Sequence, residues 1–496
     1  MSNIYYTMKK KFFKQATLIA LFVFVLFKVS SSQIETFSKI ISTSLDETIK
    51  DVVEDSIGNF YYVGHNANPG YAQIKTNGFI MKTDYLGNVL DSVTHSSSNE
   101  SIEYYHIFMD GTNHLDISGY SASDYNWPHR DSKFFLKKLT TSLSIVKSKS
   151  YFLPGNYGLQ HVKTRRGINR DFLFVSYVWY ASNFMWNPVF LRTNSNFDSL
   201  AFKIMLDIGH IGEDIKQLDT NNYWFVSAGG RILLMDSLFV PTGQFSKIPH
   251  DLSSSYGINW DTDTSFYLVG EWDDGPDDDI GFVKQHHTLD TNDNIFNTFG
   301  ALDTLDYPAE YGGLDFNNKD SIYIGGTINW LWDFNEWENN FFILQTDSLL
   351  NIRWERFYGG DAYYVMTKIK ATHDGGCIAI GDRYDYQNTD EEERDIYILK
   401  LNNEGLITGN PEMPKVEMRE ALVFPNPGTD FLRVRIAAQY PKSTFELFDM
   451  NGNLVLKERI EGKWKQISTS FLAQGTYIYK IHNQEGLFES GKWVKN

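Results

Sequence analysis

The densest concentration of potential chemistry in this 496-residue chain is acidic: Asp273, Asp274, Asp277, Asp278 and Asp279 crowd around Gly275-Pro276. Calcium takes roughly six to eight hard oxygen ligands. Asp273, Asp274, Asp277 and Asp279 are therefore candidate metal ligands, and Ca²⁺ is the one cofactor left open. The Gly-Pro pair interrupts the run and no Glu stands where an EF-hand needs its last ligand, so solvated surface charge is the first reading. Tryptophan forms a second concentration, at Trp127, Trp186, Trp272, Trp330, Trp332 and Trp337. A presented indole offers a flat face to a sugar ring or an apolar partner, though it can also fold back to cap its own loop.

Catalytic patterns are missing beside these. Carboxylates are numerous, but no spacing singles out the acid and base pair that glycoside cleavage requires. The chain has no Gly-x-Ser-x-Gly elbow, no phosphate-binding glycine loop and no His-Glu-x-x-His helix. His286 and His287 are adjacent, and neighbours on a strand point to opposite faces. The single cysteine, Cys377, reads as a small buried side chain; one cysteine also excludes a disulfide framework and a thiolate metal site. No catalytic residue is assigned. With 45 Lys+Arg against 62 Asp+Glu the net charge is -17, which argues against nucleic acid as a partner.

Strands must position this chemistry, because aromatic residues make up 16% of the chain and flat rings pack well on pleated surfaces. A strand ending in Gly or Ser recurs at Phe60 to Gly64, Leu115 to Gly119, Leu173 to Ser176, Trp224 to Ser227, Phe266 to Gly270, Ile322 to Gly326 and Cys377 to Gly381. The mean spacing of about 53 residues falls in the range of propeller blades. A third strand follows each copy, and short Asp/Asn/Gly turns precede and follow the pair. The fold expected is all-β: a seven-bladed β-propeller over 33–405, a linker over 406–420 and a small Ig-like β-sandwich over 421–496. Residues 34–41 have no blade of their own, so they are expected to pair with 396–401 and close the ring. In six blades the connection between the second and third strands inserts roughly ten residues, and these insertions carry the tryptophans.

Both chain ends read as addresses. Lys9, Lys10, Lys11 and Lys14 precede the apolar run Leu18 to Phe27, followed by Ser30, Ser31 and Ser32. That is the pattern of a secretory signal peptide over 1–32, too short for a membrane span, so the mature chain is expected to carry no transmembrane segment. At the other end stand Phe424-Pro425-Asn426-Pro427 with Asp430, Leu447 to Gly452, Leu472 to Ile478 with Gly475 and Tyr477, and Gly491-Lys492-Trp493-Val494-Lys495-Asn496. This segment resembles the type A C-terminal sorting domain of the type IX secretion system of Bacteroidota. Trp493, where an aliphatic is more usual, is a small departure. The resemblance implies a sorting signal at Pro425, Asn426, Pro427, Asp430, Gly452, Gly475, Tyr477, Lys492, Val494 and Lys495. It implies outer-membrane export machinery as a partner, delivery outside the cell or onto its surface, and later removal of the domain. The expected function is a secreted or surface-attached propeller that binds a glycan or protein ligand. A carbohydrate-active enzyme, a glycoside hydrolase or lyase, on the same scaffold is the alternative.

Overall fold

The computed structural model describes residues 35–496 except 71–74, 124–131, 153–157, 181–184, 206–211, 228–230, 248–251, 263, 274–277, 287–293, 301–303, 331–335, 390–392 and 409–417. The expected signal peptide lies outside the described residues. Seven antiparallel sheets, each built on four strands, follow one another along the chain. Their innermost strands are Asp46–Glu54, Ser101–Asp110, Gly158–Arg166, Gly212–Gln217, Leu252–Trp260, the split pair Tyr307–Pro308 and Leu314–Asn318, and Tyr363–Ala371. These sheets are blades 1 to 7. Phe37–Ile41 completes blade 7, with Phe37 opposite Lys400 and Ile41 opposite Ile396, so the ring closes as the sequence suggests.

Burial explains which strands the sequence reveals. In blade 1 nearly every residue of Phe60–Ala67 is buried, because both faces of the sheet pack on neighbouring blades. The outermost strand, Val89–His95, is mostly exposed and carries a weak signal. The repeated Gly at the end of the second strand has a steric cause. A Cβ on Gly64 would lie 1.9 Å from the Thr48 carbonyl oxygen, and one on Gly119 would lie 2.0 Å from that of Glu103. The inner strand presses there because it is bulged: the register shifts between Ile49 and Asp51, Tyr104 and His106, Gln160 and Lys163, Gly212 and Asp214, Ser255 and Gly257, and Met366 and Lys368.

The turn between third and fourth strands repeats as well. Asp84, Asn194, Asp236, Asp347 and Asn402 each accept two backbone N–H bonds through one side-chain oxygen, from the residues two and four positions on. The residue between those two donors has positive φ and is Gly87 or Gly405 in blades 1 and 7, but Phe197, Phe239 and Leu350 in blades 3, 4 and 6; Leu143 takes the same place in blade 2, where the Thr140 hydroxyl accepts the Ser144 amide. Those four apolar side chains are buried. Where glycine stands instead, another ring fills the space: Phe37 lies against Gly87, and Trp354 against Gly405.

After the ring, Ala421–Phe424, Phe431–Ile436 and Trp464–Ser468 form one sheet, and Lys442–Phe448, Leu454–Glu461, Gly475–His482 and Leu487–Lys495 form another. Phe445, Leu447, Ile481 and Trp493 are fully buried in their common core. The expected sandwich is present. Met418–Arg419, within the expected linker, is a fifth strand on blade 6.

Candidate functional site

Each bulge turns the residue after it toward the propeller axis. Asp51, His106, Lys163, Asp214, Gly257 and Lys368 therefore line one axial cavity of about 120 Å³, together with Arg165, Asn259, Asp315 and Lys370. All lie beyond the bulge or split of their inner strands, on the side of the tight turns. The polar contacts form a hoop that joins blades. Asp51 receives Lys368 at 2.6 Å, the His106 ring at 3.2 Å and the Ile107 amide at 3.2 Å. Asp214 takes Arg165 through two nitrogens, each at 2.8 Å. Asp315 takes Asn259 at 2.7 Å and the Ala371 amide at 3.0 Å, while Lys370 donates to the Val52 carbonyl at 3.0 Å.

Electrostatics follow from this crowding. Burial alone would raise the Asp51 carboxyl, but Lys368, Lys370 and His106 hold it well below the usual range. Burial pushes His106 down to about 4 against the pull of Asp51, and pushes Lys368 down to about 8, helped by Lys370 and Lys163. Asp51 is thus ionised and His106 neutral at pH 7.

Residues 309–313, between the two halves of the split inner strand, cross the axis. Tyr311 donates its amide to Thr367, Gly312 accepts from Ile369, and the Tyr311 carbonyl receives Lys163 at 3.3 Å. The Tyr311 ring meets Tyr105 edge-on at 5.6 Å. Beyond this crossing, toward the long loops, Lys50 pairs with Glu103 at 2.6 Å and sits 3.7 Å from the Tyr105 ring centroid. At the nearby seam of blades 1 and 7, Arg394 grips Asp46 through two 2.7 Å bonds and Thr48 donates to Asp382 at 3.1 Å. One oxygen each of Glu47 and Asp382 is buried with no hydrogen bond. Burial raises Glu47 to about 7 and Asp382 to about 8.

The axial residues escape the motif reading, yet the sequence contains them at a fixed offset. Asp51, His106, Lys163, Asp214, Gly257, Gly313 and Lys368 each stand thirteen positions before the Gly or Ser that marks their repeat. The loop residues singled out from sequence are placed differently. Trp186 and Trp272 lie on strands, because the hairpins of blades 3 and 5 continue their ladders, with Trp179 opposite Trp186 and Trp272 opposite Asp279. The long insertions expected in those two blades are thereby shortened to the tips 181–184 and 274–277. Trp186, Trp272, Trp330 and Trp337 are half-buried, packed respectively on Tyr177 at 4.9 Å, Phe296 at 5.6 Å, Tyr307 at 4.5 Å and Tyr363 at 6.0 Å. Trp127, Trp332, Asp274 and Asp277 lie outside the described residues; Asp273 and Asp279 flank the blade 5 tip. Among the described residues no group of three or more His, Cys, Asp or Glu can hold a metal ion. Cys377 is buried, and burial pushes its thiol up to about 12.

The sorting residues converge, although they are spread over some 70 positions of sequence. The Asn426 side chain bonds the Lys492 carbonyl at 2.8 Å and the Val494 amide at 2.9 Å. The Trp493 indole donates to the Pro425 carbonyl at 2.8 Å, so the large ring both fills the core and ties the motif to the tail. Lys495 donates to Thr429 and Thr469 at 2.8 Å each, and the Thr469 amide donates to Asp430. Tyr477 donates to the Ala473 carbonyl at 2.7 Å, and Gly475 pairs with Lys495. Phe448 pairs with Ile478, so the turn containing Gly452 leaves the sheet at this same end. Pro425, Asn426 and Pro427 also share a cleft of about 470 Å³ with Trp337 of blade 6.

Among solved structures, the chain is similar to the WD40 β-propeller domain of Doa1 (13% identity, TM-score 0.44, 73% of this chain and 96% of that one). It is also similar to YCF48 from Cyanidioschyzon merolae (12%, TM-score 0.39, 74% and 99%) and to a fungal alcohol oxidase of the AA5 family in complex with copper (9%, TM-score 0.42, 94% and 100%). No curated protein matches the chain. No helix among the described residues is long and apolar enough to cross a membrane. The family model for the secretion system C-terminal sorting domain matches residues 422–496. This segment is a type IX sorting domain, and the protein that carries it is exported by that route to the cell surface or beyond.

Proposed function

We propose that the exported propeller is a binding module that takes a glycan or protein ligand on its long-loop face, after residues 1–32 have served as its signal peptide. The observation that carries this reading is the state of the four described tryptophans Trp186, Trp272, Trp330 and Trp337. Each is braced by a neighbouring ring and still partly exposed, so little side-chain freedom remains to be lost when a partner stacks on it. The axial carboxylates support binding over hydrolysis: Asp51, Asp214 and Asp315 are engaged by cations and amides that hold blades together. The test is retention of the exported protein on an immobilised glycan array and on intact bacterial cells, with a reducing-end assay on every glycan retained. Trp186→Ala combined with Trp330→Ala should reduce retention at least tenfold. Unchanged retention of the double variant, or release of reducing ends by the wild type, overturns the reading.

A further inference from the structure

The sorting domain does not merely follow the propeller; it lies against the outer flank of blades 5 and 6. Met418–Arg419 adds to the outer edge of blade 6, with Arg419 opposite Phe357 and Met418 opposite Tyr358. Gln439 then exchanges two bonds with the Glu355 backbone, accepting from its amide at 3.1 Å and donating to its carbonyl at 3.1 Å. The Glu355 carboxylate takes the Ala438 amide at 3.1 Å. Leu422 and Ala437 are buried in one apolar cluster with Phe299, Phe342, Leu350 and Phe357 of the propeller. Arg435, with no exposed surface, crosses the boundary to bond the Gly300 carbonyl and to stand 4.0 Å from the Phe299 ring centroid.

We propose that this flank is a binding site for the sorting domain in its own right, so that cutting the connection does not by itself release the domain. The contacts combine strand addition, which protects an otherwise open edge, with apolar burial and a desolvated cation over an aromatic face. None of them depends on the peptide chain through 409–417. Two features make the complex reversible. The Arg435 guanidinium leaves Nε and one Nη without hydrogen bonds, and Arg356 leaves Nε without one. These groups regain water on separation, which favours release. Removal of the sorting domain therefore proceeds in two steps, cleavage and then dissociation, and the second uncovers the strand edge Ile352–Gly359.

The test uses the full chain with a protease recognition sequence introduced within 409–417. After cutting at 10 µM, the sorting fragment should co-elute with the propeller on size exclusion. Gln439→Ala with Glu355→Ala should weaken that association at least tenfold, while the circular dichroism of the uncut double variant stays unchanged. Amide exchange at Glu355 and Phe357, whose N–H groups face the sorting domain, should rise at least tenfold once the fragment is stripped from the wild type. Separation of the cut wild-type chain at 10 µM, equal retention of the double variant, or unchanged exchange at those amides overturns the proposal.

Discussion

The two sides of the propeller axis are built on opposite principles. Toward the tight turns, geometry repeats: the same bulge aims a residue inward in six blades, and the same Asp/Asn turn ends the third strand. The carboxylates there are engaged, and Asp51 is held ionised by its cations. Toward the long loops no spacing repeats. Tryptophans are half-exposed, and Glu47 and Asp382 are buried with carboxyls raised toward neutrality. Repetition marks where the ring derives its stability, and irregularity marks where the chain is left to differ between blades. Asp51 and Asp382, one on each side, must accordingly respond to pH with opposite signs, although burial also raises the Asp315 carboxyl within the hoop.

The largest effect is expected at the hoop. Asp51→Ala removes the partner of buried Lys368 and strands an uncompensated cation, a loss of about 3–5 kcal/mol in urea unfolding at pH 7. A loss under about 1 kcal/mol would mean that the axial charges are passengers rather than fasteners. Next comes the turn wedge. Leu350→Ala, which empties a fully packed position, should cost about 3 kcal/mol. Leu350→Gly should cost about 1 kcal/mol less than the alanine variant, because φ at Leu350 is 62° and only glycine is unstrained there. The order Ala worse than Gly reverses the usual preference, and finding Gly worse would show that the wedge acts through volume alone.

Legibility in the sequence divides along the same line. The seven blades and the closing strand could be read because fully buried second and third strands leave continuous aromatic and aliphatic runs. The sorting domain could be read because its motifs survive as short words. The axial charges could not be read by residue type, since Asp51, His106 and Lys368 find each other only after blades 1, 2 and 7 meet. Their fixed offset from each Gly or Ser marker was present all along, but its meaning lies in a backbone bulge that periodicity does not report. The blade 3 and blade 5 hairpins depart from the sequence expectation for a related reason. Trp, Asn and Asp at the tips look like loop chemistry, yet the ladder holds Trp179 against Trp186 and Trp272 against Asp279. Cross-strand pairing overrode local preference there.

The smallest effect per step, and the sharpest contrast between the two sides, is in pH. Asp382 has a folded value raised to about 8, so the folded state holds a proton that the unfolded state has released. Its contribution to stability is fully present below about 4, the unfolded value, and is lost as pH rises to about 8, by at most about 1.4 kcal/mol per unit. Asp51 has the opposite sign: its folded value is depressed, so its contribution is present at neutral pH and lost only as pH falls below about 4. Asp382→Asn should match the wild type near pH 4 and exceed it progressively from pH 5 to 8 in urea midpoints. Glu47→Gln should do the same over a window that ends near 7. If Asp382→Asn parallels the wild type across that range, the carboxyl is ionised in the folded ring and Arg394, 3.8 Å away, holds it as firmly as Lys368 holds Asp51. The seam of blades 1 and 7 would then belong with the hoop, and the line between the two sides would have to be drawn above it.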